Sequence, residues 1–129
     1  MQHHPAWIIG GALNAAIAVG MAAASSHAPA LQAASAYLPS AIAMHQLHAL
    51  ALIVVGLLLR DGSGNPWWRL AGAAFALGLL LFCFNLYARA LWDFQALRGL
   101  VPAGGSCFMA GWVLVAWGAW RQASPRNRP

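Results

Sequence analysis

Charged side chains are scarce in this sequence, and two of the four common types are missing. Only 7% of the 129 residues are charged and 61% are hydrophobic; the charges are seven arginines and two aspartates, with no lysine or glutamate. Because soluble domains carry about 25% charged residues, the chain lacks the polar surface of a water-soluble globule. Its isoelectric point near 10.7 does not indicate a nucleic-acid binder, since the arginines stand at the ends of apolar runs and form no basic face.

Cysteine is nearly as scarce, and the motifs of enzymes are missing. Cys83 and Cys107 both lie inside apolar segments, so the sequence offers neither a disulfide framework nor zinc-ligand spacing. It contains no nucleophile–base pair, phosphate-binding loop or carboxylate dyad. These absences disfavour an enzyme, and no cofactor is required by the sequence.

Long apolar runs are the dominant positive feature. A spanning helix needs about 20 mostly apolar residues, and four stretches qualify, at about 6–25, 40–59, 68–90 and 100–120. Such runs predict helices, because isolated strands cannot satisfy their backbone in lipid. A competing interpretation makes the first run a cleaved signal peptide, since residues 22–24 and 28–30 resemble small-residue cleavage sites. Against it, the run exceeds the usual length of about 7–15 residues, and residues 1–5 carry no Lys or Arg. We therefore expect one all-α domain over 1–129: an integral membrane four-helix bundle, with a partly helical segment at 26–39 and a disordered tail at about 122–129.

The positions of the arginines predict the orientation. With four spans, one side of the membrane holds five arginines and the other holds two: Arg60, Arg69, Arg121, Arg126 and Arg128 against Arg89 and Arg98. The arginine-rich side faces the cytoplasm, so both termini are expected there, in a multi-pass protein of a bacterial-type inner membrane.

Small residues at helical spacing predict how the spans pack. Lipid is as apolar as leucine, so close approach at small residues holds membrane helices together. Gly104, Gly111 and Gly118 recur every seven residues and define one seam of the fourth helix. Further small residues are spaced by four in the first helix (Ala16, Gly20, Ala24) and the third (Gly72, Ala76). Together they predict a tight bundle.

Polar groups from several helices are predicted to share one layer in the outer half of the membrane. Reading depth at about 1.5 Å per residue brings five candidate site residues to similar levels: His27, His45, His48, Asn85 and Tyr87. Cys83, Ser106 and Cys107 reach the same level, and the inner half retains only Asn14. Ionisable groups inside a membrane are costly and often functional.

This layer admits three interpretations. In the first, the histidines fix helix register through hydrogen bonds to Asn85, Tyr87 or backbone carbonyls. His45 and His48 share a helical face and could ligate a metal or haem. They could instead serve a proton, lipid or quinone. At the outer end of the third helix, Arg89 and Asp93 have the spacing of an ion pair.

The sequence also resembles the YgdD-like family, a TMEM-type domain-of-unknown-function family of small inner-membrane proteins. The resemblance rests on residues 44–52, 78–91, 102–105 and 108–112. Departures occur at 22–27, where the family's Gly-Ala-Phe-Gly-Ala-His keeps only small residues and His27, and at 83–85, where Cys-Phe-Asn replaces Ser-Gly-Ser. The resemblance implies a four-span inner-membrane protein and carries no established activity.

The function predicted from these observations is that of a non-enzymatic accessory, assembly or small-molecule-handling membrane component. One alternative is a haem-, metal- or quinone-binding redox protein that uses His45 and His48. A second is an oligomeric small transporter or proton pathway. The expected partners are the lipid bilayer and either a second copy (a homo-oligomer) or a membrane-complex protein, with no nucleic acid.

Overall fold

The computed structural model describes residues 4–62 and 64–124, and it is helical throughout its regular elements. Six α-helices follow one another: α1 (His4–His27), α2 (Pro29–Gln32), α3 (Leu38–Leu58), α4 (Pro66–Gly78), α5 (Asn85–Trp92) and α6 (Val101–Ala123). A π-helical segment (Leu79–Phe84) joins α4 and α5 into one continuous span, Pro66–Trp92. Four helices are long and apolar enough to cross a membrane, which confirms the predicted all-α, four-span architecture.

Local capping residues explain where the helices begin. Pro39 and Pro66 stand in the first turns of α3 and α4, where a missing N–H costs nothing. Asn65 caps α4, because its side-chain oxygen accepts a hydrogen bond of 3.0 Å from the backbone N–H of Trp67. At the other end of the chain, α6 continues to Ala123, so residues 122–123 are helical and not part of the tail predicted at about 122–129. Residues 125–129 lie outside the described residues.

The four spans form two antiparallel hairpins. In the first hairpin, α1 packs on α3, and the close approach of Gly11 to Ala49 and of Gly56 to Ile8 shows the opposite chain directions. In the second, α6 packs on α4 and on the π-helical segment. The two hairpins meet through α3 and the third span. In each of these two, 50% of the most apolar stretch is buried inside the protein, whereas the corresponding share is 11% in α1 and 17% in the last span. The molecule is therefore less uniformly packed than the predicted tight bundle.

The glycines of α6 lie along the seam with the third span. A Cβ added at Gly104 would meet the backbone N of Phe82 at 2.7 Å, and one at Gly118 would meet Nε1 of Trp68 at 2.6 Å. At Gly111 the added atom would collide with the ring of Phe75. The repeat of seven residues keeps these positions on one face, so the helix backbone approaches its neighbour along its whole length.

Of the three small residues of α1 that were predicted to pack, only Ala24 is partly buried against the core. Ala16 and Gly20 are exposed, and an added Cβ at Gly20 would meet nothing within 4 Å. The contact with α3 is made instead at Gly11, whose added Cβ would lie 2.7 Å from the carbonyl oxygen of Ala49. Spacing alone identifies a face that allows close approach, and the position of the neighbouring helix decides which face is used.

The small residues of α4 are also divided. A Cβ added at Gly72 would lie 3.0 Å from the indole ring of Trp7, whereas Ala76 is exposed. The core itself lies between α3 and the third span. Its largest fully buried side chains are Phe75, Leu38, Leu59, His45, His48, Val55 and Cys83.

Candidate functional site

His45 is the centre of a chain of hydrogen bonds that crosses three helices. Its ring is fully buried, with 0% of its surface exposed. Nδ1 lies 3.0 Å from the hydroxyl of Tyr87 on α5, and Nε2 lies 3.0 Å from Oδ1 of Asn14 on α1. The amide nitrogen of Asn14 donates to the carbonyl oxygen of Gly10 at 2.8 Å. The chain links the first span, the second and the third.

The donors and acceptors of this chain can be assigned. Because the amide nitrogen of Asn14 donates to a carbonyl, its oxygen faces His45 and must accept. Nε2 of His45 therefore carries a hydrogen, and in a neutral ring Nδ1 accepts from the Tyr87 hydroxyl. A hydroxyl can also accept, so His45 could take up a second proton on Nδ1 and keep both contacts.

His48 is held in a single neutral form by its two partners. Nδ1 lies 2.7 Å from the carbonyl oxygen of Met44, which can only accept, and Nε2 lies 3.1 Å from the indole N–H of Trp112, which can only donate. The hydrogen must be on Nδ1. The ring also stacks on Phe108 with 3.6 Å between centroids and 10° between planes. Protonation of His48 would cost the bond to Trp112, unlike protonation of His45.

Two of the five predicted site residues do not join the histidines. His27 is exposed at the end of α1. Asn85 is buried, but its amide nitrogen donates to the carbonyl oxygen of Leu97 at 2.6 Å, so it ties the third span to the connection before α6. The structure brings together only His45, His48 and Tyr87 of the predicted set. Ser106 also stays apart, since its hydroxyl is exposed and bonds to Pro102.

Two residues were missed, Asn14 and Trp112. From its position in the sequence, Asn14 is expected in the inner half of the membrane, away from the histidines. It stands about 15 Å into α1 and His45 about 10 Å into α3, at about 1.5 Å per residue. Because the helices run in opposite directions, both lie near the middle of the bundle. A lone polar residue in an apolar run was the available signal for Asn14. For Trp112 it was the indole N–H, a donor that finds no water to bond inside a membrane.

The arrangement is poorly suited to a metal ion. Within residues 4–62 and 64–124, no group of three or more His, Cys, Asp or Glu side chains could hold one. Every ring nitrogen of His45 and His48 is already in a hydrogen bond. Across the described chain, no buried side-chain nitrogen or oxygen is left without a partner. A metal or haem iron would have to displace one of these contacts.

The predicted ion pair between Arg89 and Asp93 is not formed. The guanidinium carbon of Arg89 lies over the ring of Tyr37, 4.5 Å from its centroid. The carboxylate of Asp93 instead accepts a hydrogen bond of 2.6 Å from the side chain of Gln95. Spacing by four made the pair available, but α5 ends at Trp92, and Asp93 leaves the helical path with a φ of 52°.

Comparisons with known proteins agree with this architecture. The family model described as a protein of unknown function, DUF423, matches residues 21–105. A UPF0382 membrane protein of Staphylococcus aureus is 33% identical over 112 residues, which cover 84% of this chain and 90% of that protein. The UPF0382 membrane protein YwdK of Bacillus subtilis is 32% identical and covers 84% and 91% of the two chains.

A UPF0382 membrane protein of Haemophilus influenzae is 31% identical over 110 residues, which cover 84% of this chain and 86% of that protein. No solved structure matches the chain. The resemblance to a membrane family without an assigned activity is thereby confirmed at the level of the family. The chain belongs to the DUF423 family, and its relatives are UPF0382 membrane proteins.

Proposed function

We propose that this protein is a non-enzymatic membrane component, of the accessory, assembly or small-molecule-handling kind, whose buried histidine layer is structural. We define the histidine layer as Asn14, His45, His48, Tyr87 and Trp112. One observation carries the proposal: each of the four ring nitrogens has a partner within the chain. A catalytic or cofactor-binding histidine needs a ring nitrogen that faces substrate or metal.

The layer has the connections expected of side chains that fix the register between neighbouring helices. Asn14 joins α1 to α3 through His45, Tyr87 joins α5 to α3, and Trp112 joins α6 to α3 through His48. All four spans therefore meet in this layer. In hydrocarbon an unpartnered polar group costs several kcal/mol, so any sliding or rotation of one helix would leave such groups unpaired. This penalty adds to the close contacts at the glycines in selecting one arrangement of the helices.

A double-mutant cycle on His48 and Trp112 tests the structural role. His48→Phe and Trp112→Phe keep the aromatic stacking and remove the hydrogen bond. We expect a coupling free energy of about 0.6 kcal/mol and up to about 1.7 kcal/mol, the range measured between membrane helices. The readout is unfolding of the purified chain in detergent by added dodecyl sulfate, followed by circular dichroism.

The same preparation tests the redox alternative. The absorption spectrum and metal content of the wild type are measured beside those of a His45→Ala, His48→Ala variant. We expect neither a Soret band nor a bound metal in either protein. Stoichiometric haem or metal that is lost in the double variant would contradict the proposal, and so would additive effects of the two phenylalanine substitutions.

A proton pathway is a second candidate, favoured by the chemistry of His45 alone. Its Nδ1 faces a hydroxyl that can both donate and accept, so the ring can gain or release a proton without losing a partner. His48 lacks this property and serves as the matched control. In vesicles that contain a pH-sensitive dye, proton flux should fall in His45→Gln and persist in His48→Gln. Equal flux in wild type and His45→Gln would eliminate this candidate.

We also propose in which membrane the protein lies, how it is oriented, which family members are its nearer kin and what it assembles with. We propose an inner membrane with both termini cytoplasmic, on the strength of five arginines against two. A C-terminal reporter fusion that is active only in the cytoplasm tests the orientation. Within the DUF423 family we propose YgdD-like proteins as the nearer kin, since residues 44–52 and 102–105 resemble theirs. A homo-oligomer or complex partner is proposed from the low burial of α1, and cross-linking in native membranes tests it.

A further inference from the structure

A cleft lies at the end of the bundle that holds α2, away from the histidine layer. Its volume is about 520 Å³, and its walls come from α2, the turn after it, and the last turn of α5. Its lining includes Ala30, Ala34, Tyr37, Arg89, Trp92 and Asp93. One wall is therefore apolar, and the opposite wall carries one positive and one negative side chain.

Arg89 supplies the positive charge of the cleft. Its guanidinium carbon lies 4.5 Å from the centroid of the Tyr37 ring, a contact that holds a planar guanidinium in place. In the described part of the chain this side chain makes no salt bridge, because Asp93 bonds to Gln95 instead. A guanidinium that is stacked on an aromatic ring keeps its N–H edge for an anion, and its planar fork of donors matches both carboxylate and phosphate.

Asp93 supplies the negative charge, and its position is costly for the helix. It caps α5 in the left-handed region, with a φ of 52°, where Gly or Asn is the usual residue. A carboxylate also lies unfavourably at the negative end of the helix dipole. Neither local structure nor a salt bridge within the described residues explains a charged residue here.

The surroundings of the cleft match the level of lipid headgroups. Trp92 is 75% exposed and follows the last apolar turn of a spanning helix, the position at which tryptophan marks the membrane–water interface. Arginine at a helix end likewise places its charge at the interface. The alanines of α2 offer an apolar wall beside the two charges.

We propose that this cleft binds the headgroup of a zwitterionic phospholipid of the phosphatidylethanolamine class. The lipid phosphate pairs with Arg89, and the primary ammonium donates to Asp93. The two cleft charges cancel, so a headgroup that carries one charge of each sign leaves neither unpaired, whereas an anionic headgroup leaves Asp93 beside a negative charge. This site does not depend on the role proposed for the histidine layer.

The test uses the full chain, purified in detergent and freed of lipid. Short-chain phosphatidylethanolamine, phosphatidylcholine and phosphatidylglycerol are added in turn, and bound lipid is measured by native mass spectrometry together with thermal protection. We expect retention in the order ethanolamine, choline, glycerol, since choline keeps the charge but has no N–H to donate. Inorganic phosphate in a parallel titration distinguishes a lipid from a soluble phosphate ligand.

Three variants test which side chain binds each charge of the headgroup. Arg89→Gln should weaken retention of phosphatidylethanolamine roughly tenfold, as expected for loss of a hydrogen bond to a charged group. Asp93→Asn suits the left-handed conformation and should abolish the preference for ethanolamine over glycerol while the protein stays folded. Arg98→Gln is the control, because Arg98 is exposed at the same end of the bundle and does not line the cleft.

Several results would overturn the proposal. Equal retention of the three lipids by the wild type would remove the headgroup preference. An equal loss in Arg89→Gln and Arg98→Gln would indicate a diffuse charge effect rather than a site. Protection by inorganic phosphate equal to that by lipid would assign the cleft to a soluble anion.

Discussion

Replacing Gly104 by alanine should destabilise the second hairpin, whereas the same change at its neighbour Gly105 should not. The added methyl group at Gly104 would lie 2.7 Å from the backbone N of Phe82, 2.9 Å from its Cβ and 3.0 Å from the carbonyl carbon of Leu81. At Gly105 it would meet nothing within 4 Å. The two positions are adjacent in α6 and differ in what they face.

The magnitude follows from the kind of atom that blocks the methyl group. Two of the three near atoms belong to the backbone of the π-helical segment and cannot rotate away, so α6 must move outward. Overpacking of this type costs about 1–3 kcal/mol. Both variants gain about 0.5–1 kcal/mol because alanine is the better helix former. That gain cancels in the comparison, so Gly104→Ala should be about 1–3 kcal/mol less stable than Gly105→Ala.

Unfolding in mixed micelles measures this difference. Each variant is purified in dodecyl maltoside and titrated with dodecyl sulfate, and circular dichroism at 222 nm follows the loss of helix, a probe that neither substitution alters chemically. Refolding from dodecyl sulfate tests reversibility before free energies are compared. Equal stability of the two alanine variants within about 0.5 kcal/mol, the usual uncertainty of such differences, would refute close packing of α6 on the π-helical segment.

Two further substitutions test the first hairpin and the capping of α4 by the same unfolding titration. Gly11→Ala should be about 1–3 kcal/mol less stable than Gly20→Ala, since only the methyl group at Gly11 would be blocked, 2.7 Å from the carbonyl oxygen of Ala49; a reversed order would mean that α1 packs through its other face. Asn65→Ala should lose about 1 kcal/mol or more, because its side chain caps α4 and also donates to the carbonyl oxygen of Gly118 at 3.1 Å. Asn65→Asp keeps the cap oxygen but not the amide donor. Stability equal to that of the wild type would therefore mean that the hydrogen bond to Gly118 contributes nothing measurable to the free energy of unfolding.

The sequence alone was sufficient for the spans, because the ability to cross a bilayer is a local property of about 20 consecutive residues. The predicted third span, 68–90, and the observed one, Pro66–Trp92, differ by two residues at each end. The seam of Gly104, Gly111 and Gly118 was equally readable, since a repeat of seven residues stays on one helical face whatever the neighbouring helix is.

The partners of the polar side chains depended on tertiary structure. Depth along a helix can be read from residue number, but the rotation of each helix and the choice of neighbour cannot. Asn85 was therefore expected beside the histidines, but it donates a hydrogen bond to Leu97. Asn14 was expected in the inner half of the membrane, away from the histidines, but it is the partner of His45. Only the packed bundle brings the two ends of that hydrogen bond together.

The four membrane-spanning helices were thus determined by the sequence itself, because hydrocarbon accepts a long apolar segment only as a helix. The composition of the histidine layer and the freedom of Arg89 to lie on Tyr37 were decided by the tertiary structure. Those contacts join residues far apart in the chain, and their formation depends on which faces the two hairpins turn toward each other. Apart from the glycine seam of α6, local sequence patterns do not fix that rotation.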